Sequence, residues 1–530
     1  MSRAFLIAAR RIAVVPCGGA FAGFEAHELA AGPIRAVLDD VGVSAAQVDE
    51  VILGNALYGG GNPARLAALA AGLSEAIPAM TLDTQCCAGL DAILAAATRI
   101  QAGEANLIVA GGVESYSRAP MRIRPPKGAD DEPQSYDRPP FTPWSDQDPD
   151  MIPAAAALAE ELAIRRADQE AFAVASHAKA LSAQHVGEIV PLGGVTQDAF
   201  PRKLTPALCR RLPVLAGDRV HGVTAATVAV EADSAAIVLV ASASIAQHVD
   251  RTVLEVLGGA RVGGDPVRPG LALIPAARRL LDRQEATVSE LSRVEIMEAF
   301  AVQAMAGIAA LGLDASRVNC GGGALARGHP IGASGAILAV RLWHEMAQSR
   351  VGGFGLAAIA AAGGLGSALL LHSSGDCMGE PLRVKQASDL GQFLHQPLGP
   401  TQWHQVGQDI INAFAALTND LQWIHVDSSR AAHELISGRT IVPGHLLLAL
   451  LPSLIRETYL VTEVQSGWLA ALRYVRFRQA IACDAPFRLC GRLLDVSQRG
   501  LTTFVEMQCE LVLLDRTVAL EANRVDAFRS

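Results

Sequence analysis

The fold is decided by one glycine-rich stretch, Ala324-Leu-Ala-Arg-Gly-His-Pro-Ile-Gly-Ala-Ser-Gly335. Its only histidine, His329, lies between a glycine and a proline, with a further glycine three residues later. Glycine and proline at this density predict a tight loop. A histidine fixed on such a loop is positioned for proton transfer rather than for packing. We therefore take His329 as a candidate catalytic base.

A second stretch far upstream, Leu82-Asp-Thr-Gln-Cys-Cys-Ala-Gly-Leu-Asp-Ala-Ile93, contains a candidate nucleophile. Cys86 precedes small residues and an alanine-rich run, Leu90 to Ala102, that is typical of a helix. At a helix N-terminus, unpaired N–H groups and the macrodipole are expected to stabilise the thiolate. The neighbouring Cys87 is expected to be a small packing residue. A cysteine with a remote loop histidine is the arrangement of covalent acyl transfer.

These two stretches resemble the thiolase superfamily, and the resemblance runs through about residues 1–372. Cys86 matches the family's nucleophile and His329 its Gly-His-Pro histidine. Four further segments match in the family's order: Asn62-Pro-Ala-Arg65, Gly111-Gly-Val-Glu-Ser-Tyr-Ser-Arg-Ala-Pro120, Ala175-Ser-His-Ala-Lys179 and Met297-Glu-Ala-Phe300. The resemblance implies an α/β fold of two similar halves in α-β-α-β-α layers, with the site between the halves. It also implies an oxyanion hole made by the backbone N–H groups of Cys86 and Ala362.

Two positions depart from the family's pattern. Met297 stands where thiolases have an asparagine that holds a water of an oxyanion hole. Ala360, in Ala360-Ala-Ala-Gly-Gly-Leu-Gly366, stands where they have a second cysteine that takes a proton from the donor's α-carbon. A positioned base typically contributes ~10²–10⁴-fold. Acylation of Cys86 does not need that base, whereas condensation without decarboxylation does. A malonyl-type donor would bypass the problem, because loss of carbon dioxide creates the carbanion.

The segment from about 121 to 150 is rich in proline and aspartate. This composition predicts a loop. The thiolase resemblance implies that it covers the site and shapes the acyl pocket.

The chain changes character after residue 372. A polar stretch at 373–382 predicts a linker, and the following 383–530 predicts a separate α+β domain. Residues 407–417 are typical of an amphipathic helix, and Ile441 to Leu451 form an apolar run too short to span a bilayer. Alternating segments near the end, Phe487 to Val496 and Thr502 to Asp515, predict antiparallel strands.

This second region resembles the hotdog fold of MaoC-like dehydratases and (R)-specific enoyl-CoA hydratases. Asp420 lies five residues before His425, as in the family motif, and Pro443-Gly444 matches its His-Gly segment with the histidine lost. The resemblance implies that Asp420 and His425 activate a water that adds to an enoyl thioester. The Gly444 N–H would then stabilise the enolate oxygen. Alternatively, Asp420 and His425 only cap a helix and hydrogen-bond the backbone.

The composition limits which partners, cofactors and cellular location we expect. The net charge is −9 without a basic run, which argues against nucleic acid as a partner. The nine cysteines show no metal-like spacing, and no apolar run reaches 18 residues. We expect a soluble cytoplasmic protein without a metal, a covalently bound cofactor or a membrane segment. Its substrates would be CoA or acyl-carrier thioesters. Both families usually form dimers, so a homodimer or larger homo-oligomer is expected.

The sequence thus predicts an acyl-thioester enzyme with two sites. Cys86 and His329 would carry thiolase-like acyl transfer or condensation, and Asp420 and His425 would hydrate or dehydrate enoyl and 3-hydroxyacyl thioesters. Two alternatives remain open. The thiolase-like region is a degenerate scaffold or acyl-binding domain for the hotdog hydratase, or the hotdog domain serves only assembly.

Overall fold

The computed structural model describes residues 2–58, 60–128, 130–183, 185, 187–249, 252–349, 353–373, 381–435, 437–513 and 517–529. It divides into two compact units, one made of Met1–Met346 with Gly353–Ser373 and the other of the remaining residues. Of the segment 373–382 predicted as a linker, residues 374–380 lie outside the described residues.

The first unit alternates strands and helices. Its strands are β1 (Ala4–Arg11), β2 (Val15–Pro16), β3 (Glu50–Gly54), β4 (Ala79–Leu82), β5 (Leu107–Glu114), β6 (Arg122–Arg124), β7 (Gln134–Tyr136), β8 (Val214–Ala216), β9 (Val223–Thr224), β10 (Ala232–Ser242), β11 (Leu254–Gly263), β12 (Leu291–Ile296), β13 (Gly353–Ala361) and β14 (Leu365–Ser373). Its helices are α1 (Ala26–Val41), α2 (Pro63–Ala70), α3 (Ala88–Ala102), α4 (Met151–Glu161), α5 (Arg166–Ser182), α6 (Pro206–Cys209), α7 (Ala243–Ala246), α8 (Leu273–Arg283), α9 (Ala301–Leu311), α10 (Ala324–Arg327) and α11 (Ile331–Ser349).

A ten-stranded mixed sheet runs through this unit in the order β12-β13-β14-β11-β1-β10-β5-β3-β4, with β2 beside β10. The sheet has two similar halves. In one, β3 is parallel to β4 and β5, and β10 and β1 follow antiparallel. In the other, β12 is parallel to β13, and β14 and β11 follow antiparallel. The halves meet through a short antiparallel pairing of β1 with β11. The predicted duplication is therefore present.

The apolar core of the unit lies in three layers of side chains. The middle layer packs α3 and α11 between the two halves of the sheet. One outer layer packs α1 and α2 on the first half, and the other packs α8 and α9 on the second half. The order of layers is α-β-α-β-α, which confirms the fold class expected from the sequence.

Glycines bring the two central helices into backbone contact. A Cβ on Gly89 of α3 would lie 2.7 Å from the carbonyl oxygen of Gly332 in α11. A Cβ on Gly335 of α11 would lie 2.6 Å from the backbone nitrogen of Leu90 in α3. Only glycine fits at such distances, because a close-packed interior offers no room for the added atom. The candidate nucleophile and base each come two residues before one of these helices, so this contact fixes the distance between them.

A buried ion network holds α11 to the start of the chain. The guanidinium of Arg11 lies 2.5 Å from Glu188 and 2.6 Å from Asp198, and Arg341 of α11 lies 2.5 Å from Glu188. Burial alone would raise the pKa of Glu188, but Arg11 and Arg341 bring it well below its ordinary value. The network is therefore fully charged at neutral pH.

The second unit, described by itself, has the predicted α+β content. Its strands are β15 (Leu382–Val384), β16 (Pro397–Leu398), β17 (Tyr459–Val461), β18 (Ser466–Phe477), β19 (Phe487–Arg499), β20 (Thr502–Leu513) and β21 (Val518–Arg529). Its helices are α12 (Gln408–Thr418), α13 (Trp423–Val426), α14 (Ser428–Glu434) and α15 (Gly444–Arg456).

One long helix packs on an antiparallel sheet in this unit. The sheet has the order β16-β19-β20-β21-β18. The apolar face of α15, including Leu447 and Leu451, packs against inward residues such as Leu489 and Met507. This arrangement agrees with the expected hotdog fold. Across the described part of both units, no helix is long and apolar enough to cross a membrane.

Candidate active sites

The structure brings the two residues singled out in the first unit into contact. Cys86 lies in a 3-10 turn, Gln85–Cys87, that leads into α3, and His329 lies just before α11. The Sγ atom of Cys86 is 3.2 Å from Nε2 of His329. The residues are 243 positions apart in the chain, and they meet because α3 and α11 pack side by side. Cys87, in contrast, points its thiol at the carbonyl of Ile359 and is fully buried, as expected for a packing residue.

The tautomer of His329 follows from its second hydrogen bond. Its Nδ1 lies 2.7 Å from the hydroxyl of Ser334, and that hydroxyl donates to the carbonyl of Pro330 at 2.9 Å. Because the Ser334 proton is already used, its oxygen accepts the Nδ1–H of His329. Nε2 of the neutral ring therefore carries the lone pair, and this lone pair faces the thiol of Cys86. The ring is ready to accept the thiol proton.

The pair is neutral at rest. Burial raises the pKa of the Cys86 thiol to about 12, although N–H groups of Cys86 and Ala362 oppose this rise. Burial likewise lowers the pKa of His329 to about 4. The N–H groups act in the expected direction, but desolvation outweighs them, so the pKa of the thiol lies above its ordinary value. A neutral pair of this kind can pass the proton from thiol to ring during an attack by the sulfur rather than before it.

Two backbone N–H groups lie near the Cys86 sulfur. The N–H groups of Cys86 and Ala362 are close enough to the Sγ atom to lower the pKa of the thiol. Ala362 follows β13 directly, at a turn where Gly363 has φ 76°. These are the N–H groups that the sequence predicted for an oxyanion hole. Backbone donors near the attacking atom are suited to stabilise the negative oxygen of a tetrahedral intermediate.

The two departing positions, Met297 and Ala360, both carry buried apolar side chains, which pack in different clusters. Met297 is buried in the central core, and Cys86 packs against the same cluster. The Met297 N–H donates to the carbonyl of Ala358 in β13 at 3.0 Å. Ala360, two residues before Ala362, is buried as well. Neither position supplies a group that accepts a proton or holds a water.

A buried carboxylate, Glu114, was missed as a residue of the site. It is the last residue of β5 and accepts hydrogen bonds from Asn55 and from the N–H groups of Ala56, Leu57 and Gly332. Burial raises its pKa to about 7. Because Gly332 lies in the first turn of α11, three residues after the candidate base, Glu114 ties the start of that helix to the first half of the sheet. Its motif was visible in the sequence, but its burial was not.

In its described part, the segment 121–150 contains the short hairpin of β6 and β7 and a 3-10 turn at Ser145–Gln147. Arg138 holds it together through ion pairs with Asp148 and Asp150. A Cβ on Gly363 would lie 3.0 Å from the carbonyl oxygen of Phe141, so the segment packs on the turn that bears Ala362. This contact brings the segment to the turn that bears Ala362, and its role as a cover of the site stays a prediction.

In the second unit, His425 is buried in α13, and its Nδ1–H donates to the carbonyl of Ile441 at 2.7 Å. A carbonyl only accepts hydrogen bonds, so Nε2 of the neutral ring carries the lone pair. Asp420 lies just after α12 and is partly exposed. Within the described part of this unit, no hydrogen bond joins the Asp420 and His425 side chains, so the two share a region without being paired.

Gly444 begins α15, three residues after the carbonyl that holds His425. Its N–H belongs to the first turn of the helix and has no partner within the helix. A Cβ at this position would lie 2.8 Å from the ring of Phe477, so a larger residue would displace that ring. Among the described residues of the chain, no cluster of three or more His, Cys, Asp or Glu side chains is suited to a metal ion.

Known proteins share this architecture. Family models for the thiolase N-terminal domain, the thiolase C-terminal domain and the MaoC-like domain match residues 4–244, 251–373 and 389–479. An acetyl-CoA acetyltransferase of Pseudomonas aeruginosa is 40% identical over 400 residues, covering 70% of this chain and 99% of the relative. One of Cupriavidus necator is 39% identical over 394 residues, covering 70% and 100%.

Solved structures show the same similarity to acetyltransferases and thiolases. The acetyl-CoA acetyltransferase of Bacillus anthracis matches with a TM-score of 0.66 and 30% identity, covering 70% of this chain and 99% of that one. A thiolase of Ascaris suum in complex with coenzyme A matches with a TM-score of 0.65 and 28% identity, covering 70% and 100%.

The fold and the domain matches define a class of proteins that use acyl thioesters. This chain has a thiolase-like acetyltransferase domain and a MaoC-like dehydratase domain. The chain belongs to the thiolase family. The resemblance drawn from the two motifs is thus confirmed.

Proposed function

We propose that the first unit transfers acyl groups from CoA or carrier thioesters through a covalent intermediate on Cys86. One observation carries this proposal: the Cys86 thiol lies 3.2 Å from the Nε2 lone pair of His329, whose Nδ1–H is held by Ser334. A nucleophile, a base and a group that orients the base are the three parts that such chemistry requires.

The chemistry follows from these groups. Cys86 attacks the thioester carbonyl while its proton passes to Nε2 of His329. The N–H groups of Cys86 and Ala362 stabilise the oxyanion of the tetrahedral intermediate. Collapse of the intermediate breaks the bond to the leaving thiolate, which takes the proton back from His329. The product is a thioester on Cys86 that is ready for a second substrate.

Intact-protein mass spectrometry after incubation with a panel of acyl-CoA and malonyl thioesters tests this proposal. The wild type should gain the mass of one acyl group, and Cys86→Ala should not. Cys87→Ala is the matched control, because its thiol is adjacent but faces the core. An adduct that persists in Cys86→Ala and disappears in Cys87→Ala would contradict the assignment.

We also propose that the second unit hydrates enoyl thioesters, or dehydrates 3-hydroxyacyl thioesters, through Asp420 and His425. The support is the orientation of His425, whose Nδ1–H is fixed on Ile441 so that Nε2 is left to accept a proton from water. The N–H of Gly444 would bind the thioester oxygen. Hydration of crotonyl-CoA should fall by about 10²-fold or more in Asp420→Asn, as expected for loss of a general acid–base group.

A matched control exists in the same unit. Asp427 caps α14 by accepting the N–H of Arg430, and asparagine also serves as an N-cap. Asp427→Asn should therefore hydrate crotonyl-CoA at the wild-type rate. Equal rates for Asp420→Asn and the wild type would remove Asp420 from the mechanism.

The alternative function for the first unit is a scaffold or acyl-binding domain without turnover. The apolar side chains at Met297 and Ala360 favour it, because they remove two polar groups that the family uses. Absence of any adduct on Cys86 with CoA-bound and carrier-bound donors alike would establish this alternative. The second unit would then carry all the chemistry of the chain.

A further inference from the structure

We propose that Gln408 is a positioning residue of the second unit, whose side-chain amide holds the candidate base His425 in place relative to the segment that leads to Gly444. This inference rests on the proposed hydratase function, in which His425 accepts a proton from water and the Gly444 N–H binds the thioester oxygen. It concerns a residue that the proposed function does not use.

Gln408 begins α12, and its amide forms hydrogen bonds in two directions. The Nε2 group donates to the backbone carbonyl of His425 at 2.7 Å and to Oδ1 of Asn412 at 2.9 Å, and Oε1 accepts the hydroxyl of Thr440. The carbonyl of His425 only accepts hydrogen bonds, so the nitrogen of the amide must face it. The amide oxygen is thereby left to face Thr440, and the side chain has a single orientation.

The two partners of this amide belong to different parts of the proposed site. His425 lies in α13, a helix of four residues. Thr440 is buried and lies four residues before Gly444, where α15 begins. A helix as short as α13 has little stability of its own, so the place of His425 depends on contacts from outside the helix. The Gln408 amide is such a contact, and it also reaches the segment before α15.

The segment from Thr440 to Val442 is anchored on the side away from α13. The carbonyl of Thr440 accepts the N–H of Cys483 at 2.7 Å, and the N–H of Val442 donates to the carbonyl of Ile481 at 2.8 Å. The segment is therefore a fixed support against which the base can be placed.

Ile441 supplies the other links from this segment to α13. Its N–H donates to the carbonyl of Ile424 at 3.0 Å, and its carbonyl accepts the Nδ1–H of His425 at 2.7 Å. The second of these bonds sets the direction of the imidazole ring. The bond from Gln408 holds the backbone of the same residue. Together they fix both the ring and the main chain of His425.

This placement matters because proton transfer depends on distance. A general base must lie within about 2.6–3.2 Å of the heavy atom whose proton it takes. A displacement of about 1 Å can cost about 10²-fold in rate. Replacement of the Gln408 amide would release the carbonyl of His425 and the hydroxyl of Thr440 at once. We therefore expect slower turnover with unchanged substrate binding, because Gln408 acts through His425 and not on the substrate.

The experiment measures kcat and KM for hydration of crotonyl-CoA by the full chain, together with its melting temperature. Gln408→Leu should lower kcat about 10- to 10²-fold with an unchanged KM. Gln498→Leu is the matched control, because the amide of Gln498 is exposed in the hairpin of β19 and β20 and bonds the carbonyl of Gly500. This control should keep the wild-type kcat.

Variants of Thr440 separate positioning from folding. Thr440→Val removes the hydroxyl that Gln408 accepts and should lower kcat, whereas Thr440→Ser keeps the hydroxyl and should recover the wild-type value. The double variant Gln408→Leu with Thr440→Val should be no slower than Gln408→Leu, because both changes break the same link. If Gln408→Leu does not fold, the two Thr440 variants still decide, and equal kcat values for them would overturn the inference.

The remaining outcomes are distinct. A folded Gln408→Leu variant with the wild-type kcat would overturn the inference, and so would a variant that loses only melting temperature or KM. Additive losses in the double variant would also overturn it. A wild type that does not hydrate crotonyl-CoA, or an Asp420→Asn variant that hydrates it equally fast, would instead overturn the proposed function, and the inference with it.

Discussion

Removal of the Ser334 hydroxyl is expected to slow acylation of Cys86 without disturbing the fold. The hydroxyl lies 2.7 Å from Nδ1 of His329 and is buried in α11. In Ser334→Ala the partly buried Nδ1–H would lose its acceptor. A buried donor left unsatisfied costs about 1–3 kcal/mol, and the ring can avoid this cost by moving its proton to Nε2. That tautomer cannot accept the thiol proton.

This free-energy cost lowers the acylation rate, because only the tautomer with a lone pair on Nε2 supports attack by the thiol. At 1.36 kcal/mol per factor of ten, about 1–3 kcal/mol corresponds to an acylation rate about 5- to 150-fold lower. The assay is the time course of the acyl adduct by quenched-flow mass spectrometry. Ser334→Thr keeps a hydroxyl that can bond the carbonyl of Pro330 four residues earlier, and it should recover most of the rate.

Two results would refute this reasoning. One is a Ser334→Ala variant that is folded, by its melting temperature, and is acylated at the wild-type rate. The other is a Ser334→Thr variant as slow as Ser334→Ala at an unchanged melting temperature. Either would mean that the hydroxyl does not set the tautomer of His329.

Further predictions concern packing, charge and pH. Gly89→Ala should cost about 1–3 kcal/mol of stability by overpacking and up to about 10²-fold in acylation by displacing the nucleophile. Thermal unfolding and adduct formation would show both effects, and Gly23→Ala, where an added Cβ meets nothing within 4 Å, is the control. Arg11→Met should lower the free energy of unfolding in urea by about 3–5 kcal/mol, because Glu188 would lose a buried partner. Since the pKa of Glu188 is lowered in the folded protein, its stabilisation is present above its unfolded pKa and is lost on acidification. A cost of the variant that stays constant into acid would contradict the assignment. Acylation should be independent of pH near neutrality and fall only as His329 becomes protonated near its pKa of about 4; a rate that instead rises through about pH 8.5, as for an ordinary thiolate, would contradict the neutral pair.

The layered fold and the meeting of Cys86 with His329 were predicted through the family resemblance that the short motifs carry. It did not predict the state of the thiol. A helix N-terminus was expected to favour the thiolate, but the outcome depends on the depth of burial, which a motif does not encode. The role of Ser334 was hidden for a similar reason, since a serine in a helix does not show which side chain it contacts.

Contacts that involve backbone groups were harder still to predict from the sequence. The contact of Gly89 with α11 joins residues far apart in the chain, so no local pattern reveals it. For Asp420 and His425 the spacing placed both residues in one region of the second unit. It did not show that His425 would be held by Ile441 rather than by the aspartate.

The neutral resting state of Cys86 also determines how the thiol meets oxidants. Peroxides react with thiolates, so susceptibility follows thiolate content and exposure. With a pKa of about 12, the thiolate fraction at pH 7 is on the order of 10⁻⁵, against a few per cent for an ordinary thiol. Cys17 is exposed, and peptide mapping after mild peroxide treatment should find it oxidised before Cys86. The nucleophile is thus shielded from oxidation between turnovers and becomes reactive only when a thioester occupies the site.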